Sequence, residues 1–300
     1  MKILVGSYNK NIYEVSIENE KFKETKIFKN IEKPSYLIND LNLSYIYSID
    51  KIQYAHIENN DVLLNEGACH ISYDKVNNLA YTSFYGAGLL KVLAKKDKWQ
   101  VSETFKYTSK SKIHYAEYID TINLVGVVDL GENNLMLYEV IDGKLTLKTN
   151  YIFQENVGPR HFTFHKTLPI IYLISELIPK IFVFKYENGS LILLEEHFLT
   201  DGYGSAIRLT KDNKFLYGAV RKSNYLFSFN VDENGLISLT QKISTEGDHP
   251  RDFNLIDCDK YLVVANMHSN DLSLFKIVNG KLYLKDSKYN LDGGASIIHK

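Results

Sequence analysis

The strongest constraint on this chain is a seven-residue apolar run that recurs six times. Its copies are Ser44-Tyr45-Ile46-Tyr47-Ser48-Ile49-Asp50, Asn78-Leu79-Ala80-Tyr81-Thr82-Ser83-Phe84, Asn123-Leu124-Val125-Gly126-Val127-Val128-Asp129, Pro169-Ile170-Ile171-Tyr172-Leu173-Ile174-Ser175, Lys214-Phe215-Leu216-Tyr217-Gly218-Ala219-Val220 and Lys260-Tyr261-Leu262-Val263-Val264-Ala265-Asn266. The runs superpose without gaps, and their last residues lie 34, 45, 46, 45 and 46 positions apart. The short first interval coincides with a clipped loop near Glu58-Asn59-Asn60-Asp61. A fixed period of this length signals a stack or ring of identical units.

Each run is followed by a small or polar turn and a second apolar stretch, such as Leu135-Met136-Leu137-Tyr138 or Ile181-Phe182-Val183-Phe184. A hairpin turn comes next at Asp142-Gly143, Asn188-Gly189, Asn234-Gly235 and Asn279-Gly280. Such pairs favour hairpins because both residues tolerate positive φ. A further strand closes the unit. Four antiparallel strands in about 45 residues make a propeller blade. The six runs give six blades. A seventh begins with Ile3-Leu4-Val5-Gly6-Ser7 and lacks its opening strand. Gly294-Ala295-Ser296-Ile297-Ile298-His299 arrives where an eighth opening strand would start. The fold expected is therefore all-β: a seven-bladed β-propeller of four-stranded antiparallel blades, closed by the C-terminal strand joining the N-terminal blade. That closure hides two sheet edges. Constant spacing argues against a sandwich or barrel. No linker interrupts the pattern, so residues 1–300 are expected to form one domain.

Composition narrows the function. Hydrophobic residues make up 45% of the chain, enough for a sizeable core. A net charge of −1 provides no basic field for nucleic acid or a membrane surface. Cys69 and Cys258 form no disulfide framework and no zinc spacing. There is no signal-peptide region and no apolar run long enough to span a bilayer. A cytoplasmic monomer or weak homo-oligomer, without metal or cofactor, is the expectation.

In a blade, the first strand lines the central channel and the second returns beside it. The start of the first and the end of the second then share one channel mouth. The opening slot holds Ser35, Cys69, His114, Arg160, Ser205 and Arg251. The slot after the closing run holds Lys51, Tyr85, Leu130, Glu176, Arg221 and Met267. Guanidinium groups grip carboxylates and phosphates in bidentate fashion and can stabilise a developing oxyanion. Glu176 or His114 can act as general acid or base on water. The expected site is thus a ring of Arg160, Arg221, Glu176 and His114, with Arg251 in support, around a small anionic substrate. Arg160 and Glu176 can equally serve as a structural ion pair across their blade. Arg251 is expected to pair with Asp252, fixing its blade while facing the channel. His70, one residue past its slot, is open to a structural or a secondary binding role. Lys33, Lys51 and Lys112 lie near the mouth and could bind a phosphate, although exposed lysines need no such explanation. His161 and His165 are expected to pack between blades, and Asp129 to form a turn.

These residues resemble the seven-bladed lactonase family, which contains bacterial 6-phosphogluconolactonases and fungal carboxy-muconate cycloisomerases. The resemblance covers almost the whole chain. It is carried by Val5-Gly6-Ser7-Tyr8, Lys33-Pro34-Ser35-Tyr36-Leu37, Ala68-Cys69-His70-Ile71-Ser72, Val128-Asp129-Leu130-Gly131, Gly158-Pro159-Arg160-His161-Phe162-Thr163-Phe164-His165 with Ser175-Glu176, and His249-Pro250-Arg251-Asp252-Phe253 with Val264-Ala265-Asn266. It implies a metal-independent lactone hydrolase or cycloisomerase with its active site at the channel mouth. By matched position, the family's histidine falls on His114, its arginines on Arg160 and Arg221, and its acid on Glu176. A further family arginine falls on Arg251. The chain departs from the family where Asn-Glu becomes Ser175-Glu176 and Ser-Asn-Arg becomes Ala219-Val220-Arg221. It also departs where His-Pro-His is reduced to Lys112-Ile113-His114, and where Asn-Tyr-Gly-Gly becomes Phe84-Tyr85-Gly86-Ala87-Gly88. The activity the resemblance implies is hydrolysis of 6-phospho-D-glucono-1,5-lactone. A cycloisomerase, a hydrolase of another sugar lactone and a non-catalytic binding propeller are the alternatives.

Overall fold

The apolar closing runs become the second strands of successive sheets. The structure, a computed structural model, describes residues 1–300 and consists of strands and turns without a helix. Five sheets have four strands each and occupy residues 70–106, 113–152, 159–198, 203–244 and 250–290. They are the third to seventh blades. The first two blades share one seven-stranded sheet. Strand Gly294–His299 pairs with Lys2–Ser7 and supplies the inner strand of the first blade. The 18-residue strand Lys21–Ile38 then ends the first blade and opens the second without a break. Four strands per separate blade thus holds for five blades, while the first two are joined through a common strand.

Inner strands touch inner strands around the ring, so the chain closes on itself. Burial follows this arrangement. The second strands Leu79–Phe84, Leu124–Asp129 and Ile170–Ser175 are buried at every position, because both of their faces meet another blade. The outer strand Ser190–Phe198 alternates exposed and half-buried residues. The apolar side chains divide into seven clusters, each lying between two neighbouring blades. The fourth–fifth interface has 14 buried members and the first–second interface has six. At roughly 1.5–3 kcal/mol per fully buried side chain, that is a large deficit. The shared strand Lys21–Ile38 compensates by joining these two blades covalently and through backbone hydrogen bonds.

The hairpins at Asp142-Gly143, Asn188-Gly189 and Asn279-Gly280 have positive φ at both residues, as type I′ turns require. At Asn234-Gly235 only Gly235 does. There Asp232 Oδ1 accepts the Asn234 and Leu236 amides at 2.9 and 2.8 Å, building a longer turn.

Candidate active site

Six of the seven inner strands carry a register shift at the opening slot. It falls between Ile113 and Tyr115, Pro159 and His161, Gly204 and Ile207, Pro250 and Asp252, Glu32 and Tyr36, and, for the closing strand, opposite Gly6 and Ser7. A β-bulge adds a residue, breaks the strict alternation of faces and re-aims side chains. His114, Arg160 and Arg251 are each the extra residue. The bulge therefore turns a sheet position into a channel-facing one.

Arg160, 1% exposed, is the largest fully buried side chain. Its Nε donates to Glu176 Oε2 at 3.0 Å, and its Nη1 donates to the Ser205 carbonyl. Arg221, from the end of the sixth blade's second strand, places Nη2 2.8 Å from the same Oε2. That nitrogen also donates to the Gly204 carbonyl at 3.0 Å. Only glycine fits there, since a Cβ at Gly204 would stand 2.0 Å from the Ser175 carbonyl oxygen. Its amide instead reaches the Glu176 carbonyl at 3.0 Å, tying the fifth and sixth blades together at the site. Arg251 lies across the channel, where its Nε donates to the Tyr8 hydroxyl at 3.1 Å.

Two guanidinium groups thus pair with one carboxylate, and a third, Arg251, acts on it from beyond ion-pair distance. Burial pushes the Glu176 carboxyl up, but Arg160, Arg221 and Arg251 outweigh it and hold it below the usual range. Burial, then Arg251 and Arg221, pushes Arg160 down to about 9, so it keeps its charge at neutral pH. His114 is buried and its Nδ1 has no partner. Burial first, then Arg160, Arg251 and Arg221, holds it well below the ordinary histidine range, as a neutral imidazole. Its ring meets Tyr85 edge-on at 5.7 Å, and the Lys112 ammonium sits 5.2 Å above the Tyr85 ring. Lys112 is exposed at this rim. Beside Arg251 and Tyr8 opens a cavity of about 540 Å³, which Met267 and His268 also line.

His114, Arg160, Glu176 and Arg221 are therefore brought together with Arg251, and Lys112 joins them through Tyr85. His70 sits deeper, its ring 3.9 Å from that of Tyr115 and 4.6 Å from that of Tyr36. Asp129 forms the expected turn, accepting the Gly131 and Glu132 amides at 3.0 and 3.1 Å. It also accepts the Lys112 amide at 2.8 Å, which anchors the start of the His114 strand.

Three expectations are corrected. His161 does not pack between blades: the bulge turns it into the channel, 5.0 Å from the His114 ring and with Nε2 3.2 Å from Arg160 Nη1. His165 caps a turn, its Nδ1 accepting the Leu168 amide at 3.0 Å. Asp252 pairs with Arg208 at 2.9 Å, not with Arg251, because the two neighbours leave the Arg251 bulge in different directions. Arg208 has no slot in the repeat, and Tyr8 stands in the Val5-Gly6-Ser7-Tyr8 motif with no role assigned to it there. Arg208 stands at an inward position of an inner strand, a charge inside the apolar run Ala206-Ile207-Arg208-Leu209. Tyr8 occupies the slot that follows the first blade's own closing run. No group of three or more His, Cys, Asp or Glu side chains is arranged to hold a metal ion.

The family model described as "Lactonase, 7-bladed beta-propeller" matches residues 2–298. The chain is 28% identical over 313 aligned residues to the 6-phosphogluconolactonase of Bacillus subtilis, covering 91% of this chain and 90% of that protein. A crystal structure of a Lactobacillus plantarum protein superposes with a TM-score of 0.89 at 26% identity, covering 99% of each chain. The periplasmic gluconolactonase of Pseudomonas aeruginosa shares the fold at a TM-score of 0.83 and 20% identity, covering 99% of this chain and 98% of that one. With a family match over nearly its full length, this chain belongs to the seven-bladed β-propeller lactonase family.

Proposed function

We propose that the chain hydrolyses the lactone of a small anionic sugar acid, with 6-phospho-D-glucono-1,5-lactone as the first candidate. The observation that carries this reading is Glu176 paired with Arg160 and Arg221 at the channel mouth that Arg251 also faces. Both ion pairs to this carboxylate use Oε2, which leaves Oε1 to orient and deprotonate a water molecule. Water adds to the lactone carbonyl, and the negative charge moves to the carbonyl oxygen. Arg160 and Arg221 stabilise that charge, since fixed guanidinium dipoles in a buried site need no reorganisation. The ring C–O bond then breaks, and the departing alkoxide takes a proton to become a hydroxyl. The proton that Glu176 took from the water is the one returned to this oxygen, and His114, a neutral imidazole at the same mouth, relays it by accepting at one ring nitrogen as it gives from the other. Arg251 and Lys112 hold the distal anionic group.

The same ion pairs also favour a second reading, a binding propeller without catalysis, because Arg160 and Glu176 satisfy one another without a ligand. Incubation with freshly prepared phosphogluconolactone separates the two. Acid release above the spontaneous rate supports hydrolysis, and release no faster than buffer removes it. A Glu176→Gln variant with full activity would leave the lactonase class standing and dismiss this residue's role.

A further inference from the structure

The channel has a second mouth, and its charge is reversed. A cavity of about 340 Å³ opens there, lined by Tyr36, Tyr115, Glu117, Thr163, Arg208 and Asp252 among others. Asp40 also lines it, so three carboxylates face one guanidinium. Two of the three are paired. Asp252 Oδ1 is 2.9 Å from Arg208 Nη2, and Asp40 Oδ1 is 3.1 Å from Lys75 Nζ. Glu117 is different. Its Oε2 accepts one hydrogen bond, from the Tyr115 hydroxyl at 2.8 Å, and it has no cationic side chain in ion-pair range. Arg208 and Lys166 act on it only from beyond ion-pair distance, and a carboxylate in a half-closed cavity without a direct ion pair is a costly arrangement. Burial accordingly pushes its carboxyl up.

Beneath the cavity lies His70, 2% exposed, with Nδ1 buried and unpartnered. Its ring braces both Tyr36 and Tyr115. Burial, then Arg208 and Arg160, keeps it neutral, so it adds no positive charge. Tyr36 and Tyr115 line the cavity and bring aromatic surface to it, which attracts organic cations. A hard divalent cation is a poorer fit, since it wants six or more oxygen ligands and finds one uncommitted carboxylate. An anion is opposed by the local excess of negative charge.

We propose that this second mouth binds a small organic cation, a primary ammonium compound, with its charged end on Glu117 and its carbon skeleton against the Tyr36 and Tyr115 rings. The site is independent of the chemistry at the arginine mouth, and either can fail without the other. The test is calorimetric titration of the full chain with ethanolamine and glucosamine, and with their uncharged counterparts ethylene glycol and glucose. Both ammonium compounds are expected to bind and both neutral compounds to give no signal. Glu117→Gln is expected to weaken ammonium binding by about tenfold or more. Equal binding of charged and neutral compounds, unchanged affinity in Glu117→Gln, or binding of Mg²⁺ or Ca²⁺ in place of the amines overturns the proposal. Should Glu117→Gln fail to fold, Glu117→Asp keeps the charge but draws it back by one methylene. It is expected to bind several-fold more weakly, and equal affinity again overturns the site.

Discussion

The two mouths of the channel are made from the same seven inner strands, yet they hold opposite charge. At one, Arg160 and Arg221 pair with Glu176, and Arg251 adds its charge from further off. At the other, Asp40, Glu117 and Asp252 surround Arg208. Between them lie three neutral histidines, His114, His161 and His70. The difference arises from position along each strand. Residues at the bulge point to the arginine mouth, and residues further along the chain, such as Glu117, Arg208 and Asp252, line the carboxylate mouth. A channel polarised in this way steers an anion to one end and a cation to the other, because low-dielectric walls focus the field.

The same substitution at each mouth should have opposite consequences. Glu176→Gln removes the one carboxylate among three guanidinium groups. It is expected to cut lactone hydrolysis by about 10²–10³-fold and to lower stability by about 3 kcal/mol, as breaking a buried ion pair does. Glu117→Gln removes a carboxylate that has no direct ion pair and that burial pushes up. Chemical denaturation at neutral pH should find it about 1 kcal/mol more stable than the parent. A destabilised Glu117→Gln, or a Glu176→Gln as stable as the parent, breaks the contrast between the mouths.

The histidines between the mouths set the next largest effect. Each is held well below its ordinary range in the folded chain, chiefly by burial. Below about pH 6.5 the unfolded chain binds protons that the folded chain refuses. Stability therefore falls as pH falls, by about 1.4 kcal/mol per pH unit for each histidine. Glu117 and Asp252, pushed up by burial, act with the opposite sign at the acid end. Thermal melts between about pH 7 and pH 5 should show a steep loss, and His161→Gln should flatten it. Activity should behave differently over the same range. Glu176 is held below the usual carboxylate range and His114 is already neutral, so kcat/KM should show no inflection near the ordinary histidine pKa of about 6.5. An inflection there would assign the proton step to another group.

How far the sequence reveals this molecule depends on what the period records. The closing runs mark the second strands, so blade number, closure and the two slots at the arginine mouth were all legible. Arg160, Glu176 and Arg221 could be placed together for that reason. The bulges were not legible. Alternation predicts that neighbours point apart, and the extra residue lets both Arg160 and His161 face the channel. Asp252 was misassigned because adjacency in sequence suggested Arg251, while the fold brings Arg208 from the next blade. The second mouth is not legible in the period, because the recurring slots mark only the starts of the inner strands. Arg208 and Glu117 stand further along, as single charges inside apolar strands. The fusion of the first two blades was hidden because a long polar stretch, residues 21–38, reads as loop between two strands.

Within the arginine mouth, Arg251 stands apart from the pair on Glu176. Arg251→Leu should raise KM about tenfold and change kcat less, if it grips the distal anion rather than the reacting carbonyl as proposed. An equal loss in kcat would move it into the chemistry.

Tyr8 sharpens the comparison at its finest scale. Its hydroxyl accepts the Arg251 Nε hydrogen at 3.1 Å, and its ring lies 5.6 Å from the guanidinium carbon. Tyr8→Phe keeps the ring and removes the acceptor. A hydrogen bond of this kind contributes about 1 kcal/mol, so KM should rise several-fold while kcat stays near the parent value. Tyr8→Leu removes the ring as well and should raise KM further, toward the Arg251→Leu value. If Tyr8→Phe matches Arg251→Leu, the hydrogen bond alone positions the guanidinium. If Tyr8→Leu matches the parent, Arg251 is held by the strand bulge and Tyr8 has no part in the site.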